Sequence, residues 1–132
     1  MVGDIAGLQE QQACLSLITN ADGGILDDTV ITHATSDMIY MVVNGATKHD
    51  DMAHFATVMQ EEFAGADVHM EYLGDDVQLL AVQGPAAAAA VQELIPDTID
   101  LAKMPFMTGV ATTIDGIEGC RVTRYVKIDV GG

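Results

Sequence analysis

The chain has 132 residues, 49% of them hydrophobic, which is enough for one domain with a hydrophobic core and argues against two. Its formal net charge of −15 leaves little basic surface for a phosphate backbone or an anionic membrane, so nucleic-acid and membrane partners are disfavoured. The longest apolar runs are also shorter than the roughly 20 residues that a membrane-spanning helix requires.

The first half of the chain predicts three strands followed by a helix. Alternation through 14–19, a turn with paired glycines at 20–24 and the β-branched segment Ile25 to His33 together predict a β-hairpin. The nearly all-apolar segment Met38 to Val43 predicts a central strand beside the second one. From Thr47 to Phe63 the apolar residues follow helical spacing, with Asp50 and Asp51 among the positions expected to face water.

The second half predicts two more strands, a second helix and a final pair of strands. The first two strands are predicted over Val68 to Tyr72 and Val77 to Gln83, and the helix from Pro85 to about Leu94. Strand-forming residues return over Met104 to Thr113 and Gly119 to Val130. This order predicts an α+β fold with a mixed, largely antiparallel sheet and two helices, and a ferredoxin-like element is among the candidates.

Two adjacent acids, Asp27 and Asp28, interrupt the second predicted strand. Because a buried carboxylate is costly unless it is paired, one of them is expected to point inward, although the two-residue period does not choose which. One interpretation is a pair of turn-proximal acids that cap backbone N–H groups. The other is a desolvated carboxylate in a cleft, acting as a ligand or proton-transfer group.

The histidines and cysteines predict no metal site and no nucleophile pair. His49 and His54 share the predicted helix but are five residues apart, so a two-histidine metal face is a poor fit. Cys14 and Cys120 lack CxxC spacing and a neighbouring histidine, and are interpreted as buried, reduced thiols in a reducing compartment.

Several segments, in the same order along the chain, resemble the T-protein of the glycine cleavage system, an aminomethyltransferase. The resemblance extends from about Gly3 to Arg124 and implies a single partial folate-binding domain over residues 1–132. The matching segments are Ser16–Asn20, Gly23–Asp28, Tyr40–Asn44, Leu79–Pro85, Pro105–Thr108 and Gly119–Arg124.

This resemblance implies an enzyme of glycine catabolism and one-carbon metabolism. Members of the family accept an aminomethyl group from the lipoyl arm of the H-protein, transfer the one-carbon unit to tetrahydrofolate and release ammonia. Tetrahydrofolate is thus the expected one-carbon acceptor, and the H-protein the expected partner. The resemblance further implies the mitochondrial matrix in a eukaryote, or the cytoplasm in a bacterium.

The resemblance also assigns site residues. The essential aspartate of the family falls on Asp28, with Asp27 as the near alternative. The folate contacts fall on Leu15, Tyr40 and Val42, and a further lining position on Phe106. A carboxylate at Asp28, held between apolar neighbours, would be desolvated and able to interact with a polarised folate nitrogen.

The chain departs from the family pattern at both ends. A preceding Gly-Met-Phe-Asp-Val-Ser-His segment is absent, and after Arg124 the segment Tyr125 to Gly132 differs from the family's Gly-Tyr-Thr-Gly-Glu-Asp-Gly. One alternative is therefore a truncated, non-catalytic paralogue with a structural or assembly role. A second is a folate-dependent demethylating relative, although the segment Cys120–Arg124 favours the glycine cleavage branch. Exposed sheet edges in such a truncated sheet predict self-association.

Overall fold

The computed structural model describes residues 1–125. It contains two antiparallel sheets, two α-helices and one turn of 3₁₀-helix at Gly74–Asp76, which confirms the predicted α+β class. The elements are β1 Ala13–Thr19, β2 Ile25–Thr35, β3 Met38–Val43, α1 Lys48–Glu62, α2 Ala87–Gln92, β4 Thr108–Ile114 and β5 Ile117–Arg124.

The predicted hairpin forms the first two strands of a three-stranded sheet with the order β1-β2-β3. Its turn is closed by Asn20, whose Oδ1 accepts the backbone N–H of Gly24 at 2.7 Å and that of Asp22 at 3.1 Å. Gly23 has a φ of +80°, which glycine adopts at little steric cost. The pairing of β3 with β2 is confirmed, but β3 lies at the sheet edge and β2 is the central strand, so the predicted central position of Met38–Val43 is wrong.

The two faces of this sheet differ in burial. Ile18 and Ile31 lie on one face, where their side chains are 1% and 0% exposed, and Ser16 and Thr29 are buried on the same face. On the opposite face the middle of the sheet remains open, with Leu15 56% exposed. Since side chains alternate along a strand, neighbouring residues of β1 and β2 contribute to opposite surfaces, one buried and one accessible in its middle.

The second sheet is the hairpin β4–β5, which turns at Asp115 and Gly116, both with positive φ. Its first strand is bonded to the segment that enters β1. The backbone N–H of Ala13 donates to the carbonyl of Met107 at 2.7 Å, and the N–H of Gly109 donates to the carbonyl of Gln11 at 2.8 Å. These bonds fix the hairpin beside one end of the three-stranded sheet.

Both predicted helices are confirmed, with α1 ending at Glu62 and α2 within the alanine-rich segment. Cys14 and Cys120 are both free and half-buried, so neither is as deeply buried as expected. No helix within residues 1–125 has the length and hydropathy to cross a membrane.

The predicted strands over 68–72 and 77–83 are wrong, because both segments lack strand pairing in the structure. Their apolar side chains are exposed, and Leu79 and Leu80 are 72% and 81% accessible. An alternating segment becomes a strand only when another backbone satisfies its N–H and C=O groups, and no described strand lies against these segments. Residues 126–130 of the last predicted strand lie outside the described residues.

Candidate functional site

The predicted folate contacts Leu15 and Val42 lie in one row across the three-stranded sheet. Leu15 is paired with Val30, and Val30 with Val42, so the three side chains project from the same face. Val30 and Val42 are half-buried, whereas Leu15 is mostly exposed. We call this surface the open face; it also bears Leu17, Asp28 and Tyr40.

Asp28 lies next to this row, opposite Leu17, and its side chain is exposed. The expectation of a desolvated carboxylate at this position is therefore wrong, because the Leu15 end of the face is exposed in the part of the chain that the structure describes. The Asp28 carboxylate nevertheless has a defined partner, since its Oδ1 accepts a hydrogen bond from Asn44 Nδ2 at 2.9 Å.

Tyr40 lies at the opposite end of the open face, beside Thr32. Thr32 is four residues from Asp28 along β2, which corresponds to about 13 Å of strand. The guanidinium of Arg121, from β5, lies 5.5 Å from the centre of the Tyr40 ring, and its Nη1 donates to Gln11 Oε1 at 2.8 Å. Tyr40 is therefore held by a cation–π contact from the second sheet.

Arg121 was not predicted as a site residue, although it lies within one of the segments that resemble the family. Its position depends on Gly109, which faces Thr123 across the hairpin. A Cβ at Gly109 would lie 2.9 Å from Arg121 Nη1 and 3.2 Å from Thr123 Oγ1, so only glycine leaves this space free. The absent side chain at position 109 thus makes room for the cation over Tyr40.

Phe106 precedes β4 and is 50% exposed. The backbone of the next residue, Met107, is bonded to Ala13, which pairs with Thr32. This connection lies at the Tyr40 end of the open face, far from Asp28. The structure thus brings Leu15, Asp28, Tyr40 and Val42 onto one face, and Phe106 to the segment next to one end of it.

Asp27 is the acid that points inward, and its side chain is 9% exposed. Its Oδ1 accepts a hydrogen bond from Asn44 Nδ2 at 2.9 Å. Its Oδ2 accepts from Thr47 Oγ1 at 2.7 Å and from the backbone N–H of Asn44 at 3.2 Å. The side chains of Asn44 and then Thr47 stabilise the charged form, and they lower the pKa of Asp27 to about 2.

Asp51, in the first turn of α1, is 2% exposed and lies beside Asp27. The prediction that this residue faces water is wrong, since the start of α1 places it against β2. Burial raises the pKa of Asp51 above its usual range, and the negative charge of Asp27 raises it further. Its Oδ2 is buried without a hydrogen-bond partner among the described residues.

Sequence reasoning missed both Asn44 and Asp51 as members of this cluster. Asn44 is the last residue of the segment Tyr40–Asn44 that resembles the family. A polar residue directly after an apolar strand was the signal that could have identified it as a site residue. For Asp51 the signal was weaker, because an acid in the first turns of a helix is usually stabilised there while exposed. Only the approach of α1 to Asp27 makes it buried.

The fold and the site together define an α+β domain in which an apolar sheet face lies open beside a cluster of acids. Residues 1–126 match the family described as GCVT N-terminal domain, and the chain belongs to that family. This match confirms, at the level of the family, the predicted resemblance to the T-protein.

The chain is similar to several curated proteins named "Aminomethyltransferase, mitochondrial". It is 44% identical to the Homo sapiens protein and 43% identical to the Gallus gallus protein, each over 125 residues. It is likewise 43% identical over 125 residues to the protein of Mesembryanthemum crystallinum. Each alignment covers 94% of this chain but only 30% or 31% of the relative, so the chain spans less than a third of the length of these relatives.

Proposed function

We propose that the chain contributes the open face of a tetrahydrofolate site to an aminomethyltransferase of the glycine cleavage system. The reaction transfers a one-carbon unit from the aminomethyl-lipoyl arm of the H-protein to tetrahydrofolate, with release of ammonia. One observation carries the proposal: the sheet register sets Leu15, Val42, Tyr40 and Asp28 on the same accessible face. The family and the names of the relatives support it independently.

The chemistry of the open face suits a flat, polar ring system. The row formed by Leu15, Val30 and Val42 offers an apolar surface against which a pterin ring can pack. Asp28, at the border of that row, can accept a hydrogen bond from a ring N–H and stabilise positive charge on a folate nitrogen. Placement on paired strands keeps these groups in a fixed relation to one another.

The partner and the compartment follow from the same proposal. The lipoyl arm of the H-protein would deliver the aminomethyl group to the side of the open face that bears Asp28. The relatives named above are mitochondrial proteins, which supports the mitochondrial matrix for a eukaryotic source. For a bacterial source we propose the cytoplasm.

Calorimetric titration of tetrahydrofolate into the purified chain tests the proposal. We expect saturable binding that is weakened by Tyr40→Ala and by Asp28→Asn. Two matched controls are available in exposed residues outside the open face, Tyr72→Ala and Asp97→Asn, and these are expected to bind as the wild type does. No binding at millimolar tetrahydrofolate, or equal loss in the controls, would contradict the proposed site.

A second candidate is a non-catalytic protein with a structural or assembly role. The exposed apolar side chains of segments 68–72 and 77–83 favour it, as does the outer edge of β3, which is unpaired within residues 1–125. This candidate predicts self-association through these edges without folate binding. Light scattering alongside the titration distinguishes the two, because a monomer that binds tetrahydrofolate would contradict it.

A further inference from the structure

We propose that Asp51 is a positioning residue that acts on the carboxylate of Asp28 through Asp27 and Asn44. The inference rests on the proposed function, since Asp28 matters for the reaction only if the open face binds folate. The four side chains come from β2, from the loop between β3 and α1, and from α1 itself. They form a continuous series from the interior to the open face.

The outer step of this series is made by Asn44. Its Nδ2 donates to Asp27 Oδ1 and to Asp28 Oδ1, both at 2.9 Å. A side-chain amide has two N–H groups, and both are used here. Rotating the amide by half a turn would set its oxygen against two carboxylates, so the acids on either side fix the orientation in which Asn44 holds Asp28.

The middle step is made by Asp27, which can orient Asn44 only while its own carboxylate is held. Its second oxygen is bound by Thr47 Oγ1 and by the backbone of Asn44. The loop between β3 and α1 is therefore closed over Asp27, and any shift of the Asp27 carboxylate displaces Asn44 directly. Since Thr47 is the residue that precedes α1, the start of that helix is tied to the same carboxylate.

The inner step is made by Asp51. Its side chain is 2% exposed beside Asp27 and Thr47, and its Oδ2 is buried with no donor among the described groups. Two ionised carboxylates in this position would repel each other and leave a buried acceptor unsatisfied. A proton on Asp51 removes both difficulties, because the neutral acid donates to Asp27 and holds it from the interior.

The charged groups that face Asp51 are consistent with a neutral acid. Asp27 approaches from β2, and Asp50 contributes further negative charge from the same helix. Both favour retention of the proton. In this arrangement Asp51 is neutral and Asp27 is charged. The Asp27 carboxylate then accepts a hydrogen bond from Asn44 on the side of the open face and one from Asp51 on the side of the interior.

The test compares Asp51→Asn, which keeps a donor towards Asp27, with Asp51→Leu, which removes it. Asp50→Asn is the matched control, because it deletes the same charge from an exposed neighbour on α1. Two readouts are used: carboxyl-carbon and side-chain amide NMR signals of the whole chain, and tetrahydrofolate affinity by calorimetry. Circular dichroism confirms that each variant is folded.

We expect the carboxyl-carbon signal of Asp51 to titrate above the ordinary range of an aspartate. The Asn44 side-chain amide signals and the folate affinity should be retained in Asp51→Asn and in the control. In Asp51→Leu the amide signals should shift, and affinity should fall by about tenfold, the loss that one misplaced hydrogen bond causes. A purely structural role would lower stability in both Asp51 variants without separating them in this way.

An Asp51 carboxyl signal that titrates within or below the ordinary range of an aspartate, or Asn44 signals that shift in Asp51→Asn, would overturn the inference. If Asp51→Leu does not fold, the carboxyl signal of the wild type and the Asn44 signals of Asp51→Asn still decide it. If the wild type binds no tetrahydrofolate, the proposed function fails, whereas the NMR signals continue to test the link from Asp51 to Asn44.

Discussion

Replacing Asp51 with asparagine is expected to change how the stability of the chain depends on pH. The pKa of Asp51 is raised in the folded state above its ordinary value of 3.8. Below that value both states hold the proton, and the folded state keeps its full stability. As the pH rises towards the folded-state pKa, the unfolded chain releases a proton that the folded chain retains, so the wild type becomes less stable.

The size of the effect follows from the environment of the side chain. The residue is 2% exposed and one carboxylate oxygen lacks a donor. A buried acceptor left unsatisfied costs about 1–3 kcal/mol. Asparagine carries no charge at any pH in this range and keeps an N–H that can donate to Asp27. The advantage of Asp51→Asn over the wild type should therefore grow by about 1–3 kcal/mol between pH 4 and pH 8.

Urea denaturation of the wild type, Asp51→Asn and Asp50→Asn at several pH values measures this difference directly. Taking the difference between variant and wild type removes the contribution of groups that both chains share. The Asp50→Asn curve should depart from that of the wild type far less than the Asp51→Asn curve does, because Asp50 contributes less to the raised pKa of Asp51 than burial and Asp27 do. A difference between Asp51→Asn and the wild type that stays constant from pH 4 to pH 8 would refute the assignment of a raised pKa to Asp51.

Three further outcomes are expected. The pKa of Asp27 is lowered to about 2, so its contribution to stability is complete above pH 3.8 and disappears as the pH falls through about 2. Over that interval Asp27→Asn should lose less stability than the wild type, which acid titration followed by circular dichroism measures. Ile31→Ala, at a fully buried position of the central strand, should destabilise the chain by about 2–5 kcal/mol, whereas Leu15→Ala should cost far less in the same urea assay. Arg121→Gln removes the cation over the tyrosine ring and should weaken tetrahydrofolate binding up to about fivefold, with Lys103→Gln as the control.

The strands that were predicted correctly are those specified by adjacent sequence. The hairpin of β1 and β2 follows from alternation on both sides of a glycine turn, and the turn at Asp115 and Gly116 separates β4 from β5 in the same way. In these cases each strand pairs with a strand that begins only a few residues away along the chain. Local pattern and pairing then predict the same structure.

The errors arise where pairing or burial depends on distant residues. Segments 68–72 and 77–83 have alternating or apolar character, but nothing in that character supplies a neighbouring backbone. The apolar segment Met38–Val43 suggested a central strand, because its composition does not reveal that only one of its edges is paired. Sheet position is a property of the assembled domain and cannot be read from one strand.

The site residues divide in the same way, into those that local sequence predicts and those whose role depends on distant residues. The two-residue period of a strand correctly predicted that one of Asp27 and Asp28 points inward, but it could not identify which. The inward residue is Asp27. Asn44 and Thr47 make that choice favourable by supplying hydrogen bonds, and Asp51 closes the cluster from α1. All three lie at least 16 residues along the chain from Asp28. Their contribution depends on how β3 and α1 return to β2.

The space left by Gly109 has a consequence for how this chain can vary. A methyl group at that position would lie 2.9 Å from Arg121 Nη1, so the end of the arginine side chain, which lies over Tyr40, would have to shift. Positions 109 and 121 should therefore covary among relatives: a larger residue at 109 should occur together with a shorter one at 121. The aromatic residue at position 40 should be retained mainly where the glycine and the arginine occur together. Three positions in different strands should therefore vary together.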